Sequence, residues 1–243
     1  MPKVHLAPLS SLLAGVAGLI AVDRVSPLSA AGWAAGVVYL VVSNALVARG
    51  LRRDDMSRFG WANATTATRS TLVGLVTAVV ATSFTASVSV PLLVTVTSIA
   101  LALDAVDGWI ARRTRTETAF GARFDMEVDA FLLLVLSAAV APVLGWWVLT
   151  IGLLRYAFVA AGWALPWMRA TLPPRHWRKV VTAVAGIALT LAVSTLLPLP
   201  AEFVVVLIAL ALLVESFARD ILWLVRHERI PRAHAEAGLA RSE

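Results

Sequence analysis

The chain is 243 residues long, 59% hydrophobic and only 15% charged, against about 25% charged in a soluble domain, so lipid is the solvent for most of it. It contains no cysteine, which excludes disulfides, thiolate metal sites and cysteine nucleophiles. The histidines (His5, His176, His227, His234) are scattered and form no ligand spacing, so any metal site must be built from oxygen ligands, as Mg²⁺, Mn²⁺ or Ca²⁺ prefer.

The first apolar run, Leu6 to Val22, is short. Only Lys3 precedes it, and Asp23-Arg24 follows without a small-residue cleavage site, so it reads as a retained span rather than a signal peptide. Val25 to Ala48 carries no charge, and neither does Ser70 to Leu103. The latter would make a helix of about 51 Å, far more than the roughly 30 Å hydrocarbon core, so it must be two helices with a turn at Ser87 to Pro91. Ala130 to Trp167 holds one charge, Arg155, and should break near Pro142 to Gly145. Val180 to Leu197 is a further span, stopped by Pro198 and Pro200, and a last one runs from Phe203 to Leu224. Eight helices are thus predicted, at about 6–22, 28–48, 64–86, 91–112, 120–141, 146–167, 178–197 and 202–225. The fold class is an all-α integral membrane protein.

The net charge of +6 would suggest nucleic acid in a soluble protein. Here the basic residues lie in short loops between apolar runs, which points to topology and anionic lipid instead, with no nucleic-acid partner. Arg49, Arg52, Arg53 and Arg58 follow helix 2; Arg112, Arg113, Arg115 and Arg123 join helices 4 and 5; Arg169, Arg175, Arg178 and Lys179 join helices 6 and 7. Five more arginines end the chain, and only Arg24 falls on the other side. Cytoplasmic loops carry such an excess, so both termini are expected in the cytoplasm, as an even span count requires. Trp146, Trp147, Trp163, Trp167 and Trp177 fall near span ends, as interfacial aromatics do. The tail from 231 to 243 is polar and expected to be mobile.

The chemistry concentrates around helices 4 and 5. Asp104, Asp107, Ala111 and Arg112 sit at i, i+3, i+7 and i+8, and Asp125 and Asp129 at i and i+4, so each group shares one helical face. A short loop makes these helices antiparallel neighbours, and the two acidic pairs should meet at similar depth near the cytoplasmic side. Carboxylates beside lipid are costly and repel one another. Two divalent ions about 3.5–4 Å apart would offset them and suit in-line displacement at phosphorus. Gly108 and Gly121 allow close approach of a ligand to the backbone, and Arg112 can hold a phosphate by a charge-assisted fork. Interfacial charges at helix ends are the plainer alternative.

The run Asp104-x2-Asp107-Gly108-x2-Ala111-Arg112-x8-Gly121-x3-Asp125-x3-Asp129 resembles the CDP-alcohol phosphotransferase family at every fixed position of its motif. Upstream, Asn63-x2-Thr66-x2-Arg69 resembles the element that opens the family's first core helix. The resemblance covers about residues 61–226 and implies a six-helix membrane core over 61–230, with residues 1–60 as two extra N-terminal spans. It implies two divalent ions (Mg²⁺ or Mn²⁺) on Asp104, Asp107 and Asp125, with Asp129 completing the site and acting as general base. It implies a CDP-linked lipid donor, an alcohol acceptor, a nucleotide pocket of Thr66, Gly108, Ala111, Arg112 and Gly121, an active site facing the cytoplasm, and a homodimer.

The acceptor is less legible. Arg155 lies inside an apolar run, and its context resembles the Arg-Glu element of glycerophosphate-using members, with Tyr156 in place of the Glu. It could bind an acceptor phosphate, or snorkel, or pair with Glu215 or a motif Asp. Arg178 and Lys179 open helix 7 and read either as an acceptor-phosphate pocket or as a topology signal. Lys179 resembles the first Lys of a G-K-x-K-T-x2-Q element, but Arg178, Val181 and Ala185 replace its Gly, second Lys and Gln. The acceptor alcohol stays open, with a phosphate-bearing one favoured. Two other classes compete: a transporter or channel, and a member that has lost catalysis. Charges at one interface and no repeated halves speak against the first, and four retained aspartates against the second.

Overall fold

The computed structural model describes the backbone over residues 7–53, 61–114, 119–169, 172–173 and 175–239 and the side chains within 9–50, 67–106, 121–165, 167–168, 172–173 and 175–226. Among the described residues it is all helical: α1 (Ala7–Val25), α2 (Ala30–Arg53), α3 (Trp61–Ser83), α4 (Val90–Thr114), α5 (Ala119–Leu144), α6 (Leu149–Ala164), α7 (His176–Ser194) and α8 (Leu199–Leu239). Short 3₁₀ turns, Trp146–Val148 and Pro166–Arg169, precede and follow α6. Within the described residues five stretches are long and apolar enough to cross a membrane: Ala30–Gly50, Gly121–Leu144, Trp146–Ala164, His176–Ser194 and Leu199–Arg226. Ala67–Ser83 and Val90–Val106 are shorter apolar helices. The chain is therefore a multi-pass integral membrane protein.

The helix ends show which sequence signals act. Pro142 lies inside α5 and does not stop it. Gly145 does, at φ 106°, a conformation that favours glycine. Pro200 does not separate α7 from α8 either; it sits in the first turn of α8, where an amide has no intrahelical partner to lose. The stop for α7 is Thr195, in left-handed conformation at φ 53°. At the other end α8 stays helical past Pro231 to Leu239, where the sequence suggests a mobile tail.

Helix α3 sits at the centre, packed against α1, α2, α4 and α5, while α7 packs on α4, α5 and α8, and α6 on α5. The first two helices share the core of the rest: Leu19, Val22 and Leu40 pack in one cluster with Val73, Val76 and Val79. Tyr39 of α2 stacks on Phe131 of α5 with ring centroids 4.8 Å apart, and its hydroxyl lies 3.3 Å from that of Ser70 on α3. At the opposite end, Asp23 accepts from the Leu28 amide (2.8 Å) and the Trp33 indole (3.3 Å), which ties the α1–α2 turn.

Glycines set the closest helix approaches. A Cβ added at Gly152 of α6 would meet the Leu134 Cα of α5 at 2.3 Å, and backbone cannot yield as a side chain can. Gly152→Ala is therefore expected to force α5 and α6 apart and destabilise the fold by about 1–3 kcal/mol. Gly186→Ala of α7, where the added Cβ would meet only the far end of the flexible Leu101 side chain, at 2.8 Å, should cost less. Thermal unfolding of both variants in detergent checks this, and equal melting of all three proteins would refute it.

Candidate metal centre

Three helices bring their charged residues to one point. Arg69 lies on the third turn of α3, Asp104 on α4 about 15 Å of helix before its end, and Asp125 and Asp129 one turn apart on α5. Carboxylate oxygens of Asp104, Asp125 and Asp129 all lie within 4.8 Å of one another. The i, i+4 spacing does what helical geometry requires: both α5 carboxylates point to the same side, toward α3 and α4.

Arg69 fills the middle of this group. Its side chain is 1% exposed, with Nη1 2.6 Å from Asp104 Oδ1 and Nη2 paired with Asp125 Oδ1 and 3.2 Å from Asp129 Oδ1. A planar guanidinium suits such multidentate contact. Among the described residues one guanidinium faces three carboxylates at bonding distance, so these groups keep an excess of negative charge inside an apolar bundle. Lys179, at the start of α7, is near enough for its charge to act on Asp104 and Asp129. The donor set is all hard oxygen, which suits Mg²⁺, Mn²⁺ or Ca²⁺ better than softer metals such as copper.

The other residues singled out from the sequence are placed unevenly. Asp107, Gly108, Ala111 and Arg112 lie on α4, and Thr66 on α3, but their surroundings fall outside the described residues. Gly121 is half-buried in the first turn of α5. Arg155 reaches back from α6 to Glu127, Nη2 to Oε1 2.6 Å. Glu127 stands two positions from both Asp125 and Asp129, hence about 160–200° around the helix from them, so Arg155 faces the side of α5 away from the carboxylate group. Arg178 pairs with Asp220 of α8 at 3.3 Å and donates to the Pro173 carbonyl.

Sequence reasoning did not place Arg69 in the site. The signal was there, since Arg69 closes the Asn63-x2-Thr66-x2-Arg69 element, but an arginine opening an apolar run reads equally as a topology charge. Asp220, buried under two arginines, was missed as well.

Comparison with known proteins supplies one match. No curated protein and no solved structure matches the chain. The sequence profile of CDP-alcohol phosphatidyltransferases matches residues 59–215. That stretch is well over half of the chain, begins just before α3 and contains the whole carboxylate group. With carboxylates converging where the family motif places them, the chain belongs to the CDP-alcohol phosphatidyltransferase family.

Proposed function

We propose that this protein transfers a phosphatidyl group from a CDP-linked lipid, such as CDP-diacylglycerol, to the hydroxyl of an alcohol that itself bears a phosphate, releasing CMP. The observation that carries the reading is the convergence of Asp104, Asp125 and Asp129 about a single buried guanidinium, within the family match. Such an acidic group can hold cations, and cations can hold a diphosphate.

In this reading Asp104, Asp107, Asp125 and Asp129 would hold two divalent ions, Mg²⁺ or Mn²⁺, which when bound would supply positive charge to offset that of an in-line displacement at phosphorus. Asp129 takes the proton of the acceptor hydroxyl as its oxygen attacks the lipid-linked β-phosphorus. The bond from that phosphorus to the bridging oxygen breaks, and CMP departs with the bridging oxygen. Arg69 holds Asp104, Asp125 and Asp129 in place. Thr66, Gly108, Ala111, Arg112 and Gly121 line the nucleotide pocket, and Lys179 supplies positive charge on the acceptor side. Arg155 and Arg178, engaged with Glu127 and Asp220, serve the acceptor only by exchanging those partners for its phosphate.

We also infer that α1 and α2 form an N-terminal pair of spans over 1–60, that 61–230 is the catalytic core with its site at the cytoplasmic face, and that residues 231–243 form a cytoplasmic tail. The protein acts as a homodimer in this reading.

The test is CMP release by purified protein with Mg²⁺ or Mn²⁺, labelled CDP-diacylglycerol and a panel of acceptors: glycerol phosphate, inositol phosphate, phosphatidylglycerol, inositol and serine. Release that requires both a divalent ion and one of the phosphate-bearing acceptors is expected. No release with any acceptor would sink the enzyme reading, and release with inositol or serine alone would sink the phosphate preference.

A further inference from the structure

A separate, arginine-lined site lies on the far side of α7 from the carboxylates. Arg175, Trp177, Arg219, Leu222, Trp223 and Arg226 line a cavity of about 570 Å³ between the start of α7 and the later turns of α8. Trp177 stands two positions before Lys179, about 200° around the helix from it. Lys179 acts on Asp104 and Asp129, so the wall formed by Trp177 turns away from them.

The charges around this cavity do not balance. Asp220 is buried and faces both Arg178 at 3.3 Å and Arg175 at 3.8 Å. Glu215 pairs with Arg219 and also accepts from the Trp177 indole at 3.0 Å. Arg226 is exposed beside them. Among the described residues two carboxylates therefore serve four guanidinia, which leaves an excess of positive charge on one wall of an otherwise apolar cavity.

Its depth in the membrane identifies the counter-charge. Arg219 comes 20 residues after Leu199, the start of α8, and 20 residues of helix rise about 30 Å, the thickness of the hydrocarbon core. Arg219, Leu222, Trp223 and Arg226 thus sit at headgroup level, and the Trp177 indole, bonded to Glu215 one turn further in, continues toward the acyl chains. Guanidinium groups fork onto phosphate, and indoles favour this interface. We propose that the cavity between α7 and α8 binds the phosphate and upper acyl chains of an anionic phospholipid, at a site separate from the carboxylate centre.

Native mass spectrometry of the full chain in neutral detergent tests this by binding, independently of turnover. With short-chain phosphatidylglycerol as probe, a bound adduct is expected. The exposed pair Arg219→Gln/Arg226→Gln should weaken it at least threefold, and Arg226→Gln alone should weaken it less. Adducts of zwitterionic phosphatidylcholine should be weaker and unaffected by these changes. Arg49→Gln, near the end of α2, and Asp129→Asn should keep the full adduct. Undiminished binding in the double variant would overturn the proposal. So would equal loss in Arg49→Gln, which means diffuse surface charge, or loss in Asp129→Asn, which places the lipid at the carboxylates. Displacement by equimolar inorganic phosphate would show a free-phosphate site instead of a lipid site and would equally overturn it.

Discussion

Asp129→Asn is expected to lower acceptor-dependent CMP release by about 10²–10⁴-fold, the usual contribution of a general base. Asparagine keeps the shape and hydrogen-bonding reach of the side chain but can neither carry the charge nor take the proton. Asp129 lies deepest along α5 of the two α5 carboxylates, one turn past Asp125, and its oxygen is 3.2 Å from Arg69. Two roles can be separated in the same variant. If Asp129 only helped to hold a cation, raising Mg²⁺ or Mn²⁺ would restore most of the rate. If it takes the proton, saturating metal leaves the rate low while the donor still binds. Activity within tenfold of wild type at ordinary metal concentration would remove Asp129 from the reaction altogether.

The contrast between what the sequence reveals and what it hides has a physical basis. Helices are legible here because each is an apolar run bounded by charge or by turn-forming residues, and the solvent selects for that in one dimension. The facing of Asp125 and Asp129 is legible because both lie on one helix, where 3.6 residues per turn fixes their relation. Relations between helices depend on rotation and depth, which no local pattern encodes. Arg155 shows this: its run invites a partner, yet the sequence offers Glu215 or a motif aspartate, and the structure gives Glu127. Glu215 goes instead to Arg219 and Trp177. Prolines mislead for a related reason. Pro142 and Pro200 weigh alike on paper, but a missing amide is harmful only where a carbonyl waits for it. Pro200 sits in a first turn where none does, and the break after α5 falls to Gly145.

Arg69 is the counter-charge packed among the three carboxylates, and its replacement should expose how far they depend on it. Arg69→Gln removes the guanidinium shared by Asp104, Asp125 and Asp129 and leaves the converging carboxylates, among the described residues, with only the charge of Lys179 to offset them. Breaking a buried pair by deleting one partner costs on the order of 3–5 kcal/mol, so the variant should melt well below wild type in chelator. Divalent cations should then do the work of the missing guanidinium. Added Mg²⁺ or Mn²⁺ is expected to raise the melting temperature of Arg69→Gln more than that of wild type, because in the variant the ion relieves the whole repulsion and in wild type only the excess. Arg69→Lys should fall between them: it keeps the charge but cannot fork onto three carboxylates at once. Thermal unfolding in detergent across a metal titration reads all three. If the variant is as stable as wild type in chelator, or if both gain equally from metal, Arg69 is not the counter-ion of this site. Among the described residues Lys179, whose charge also acts on Asp104 and Asp129, is then the counter-charge that remains.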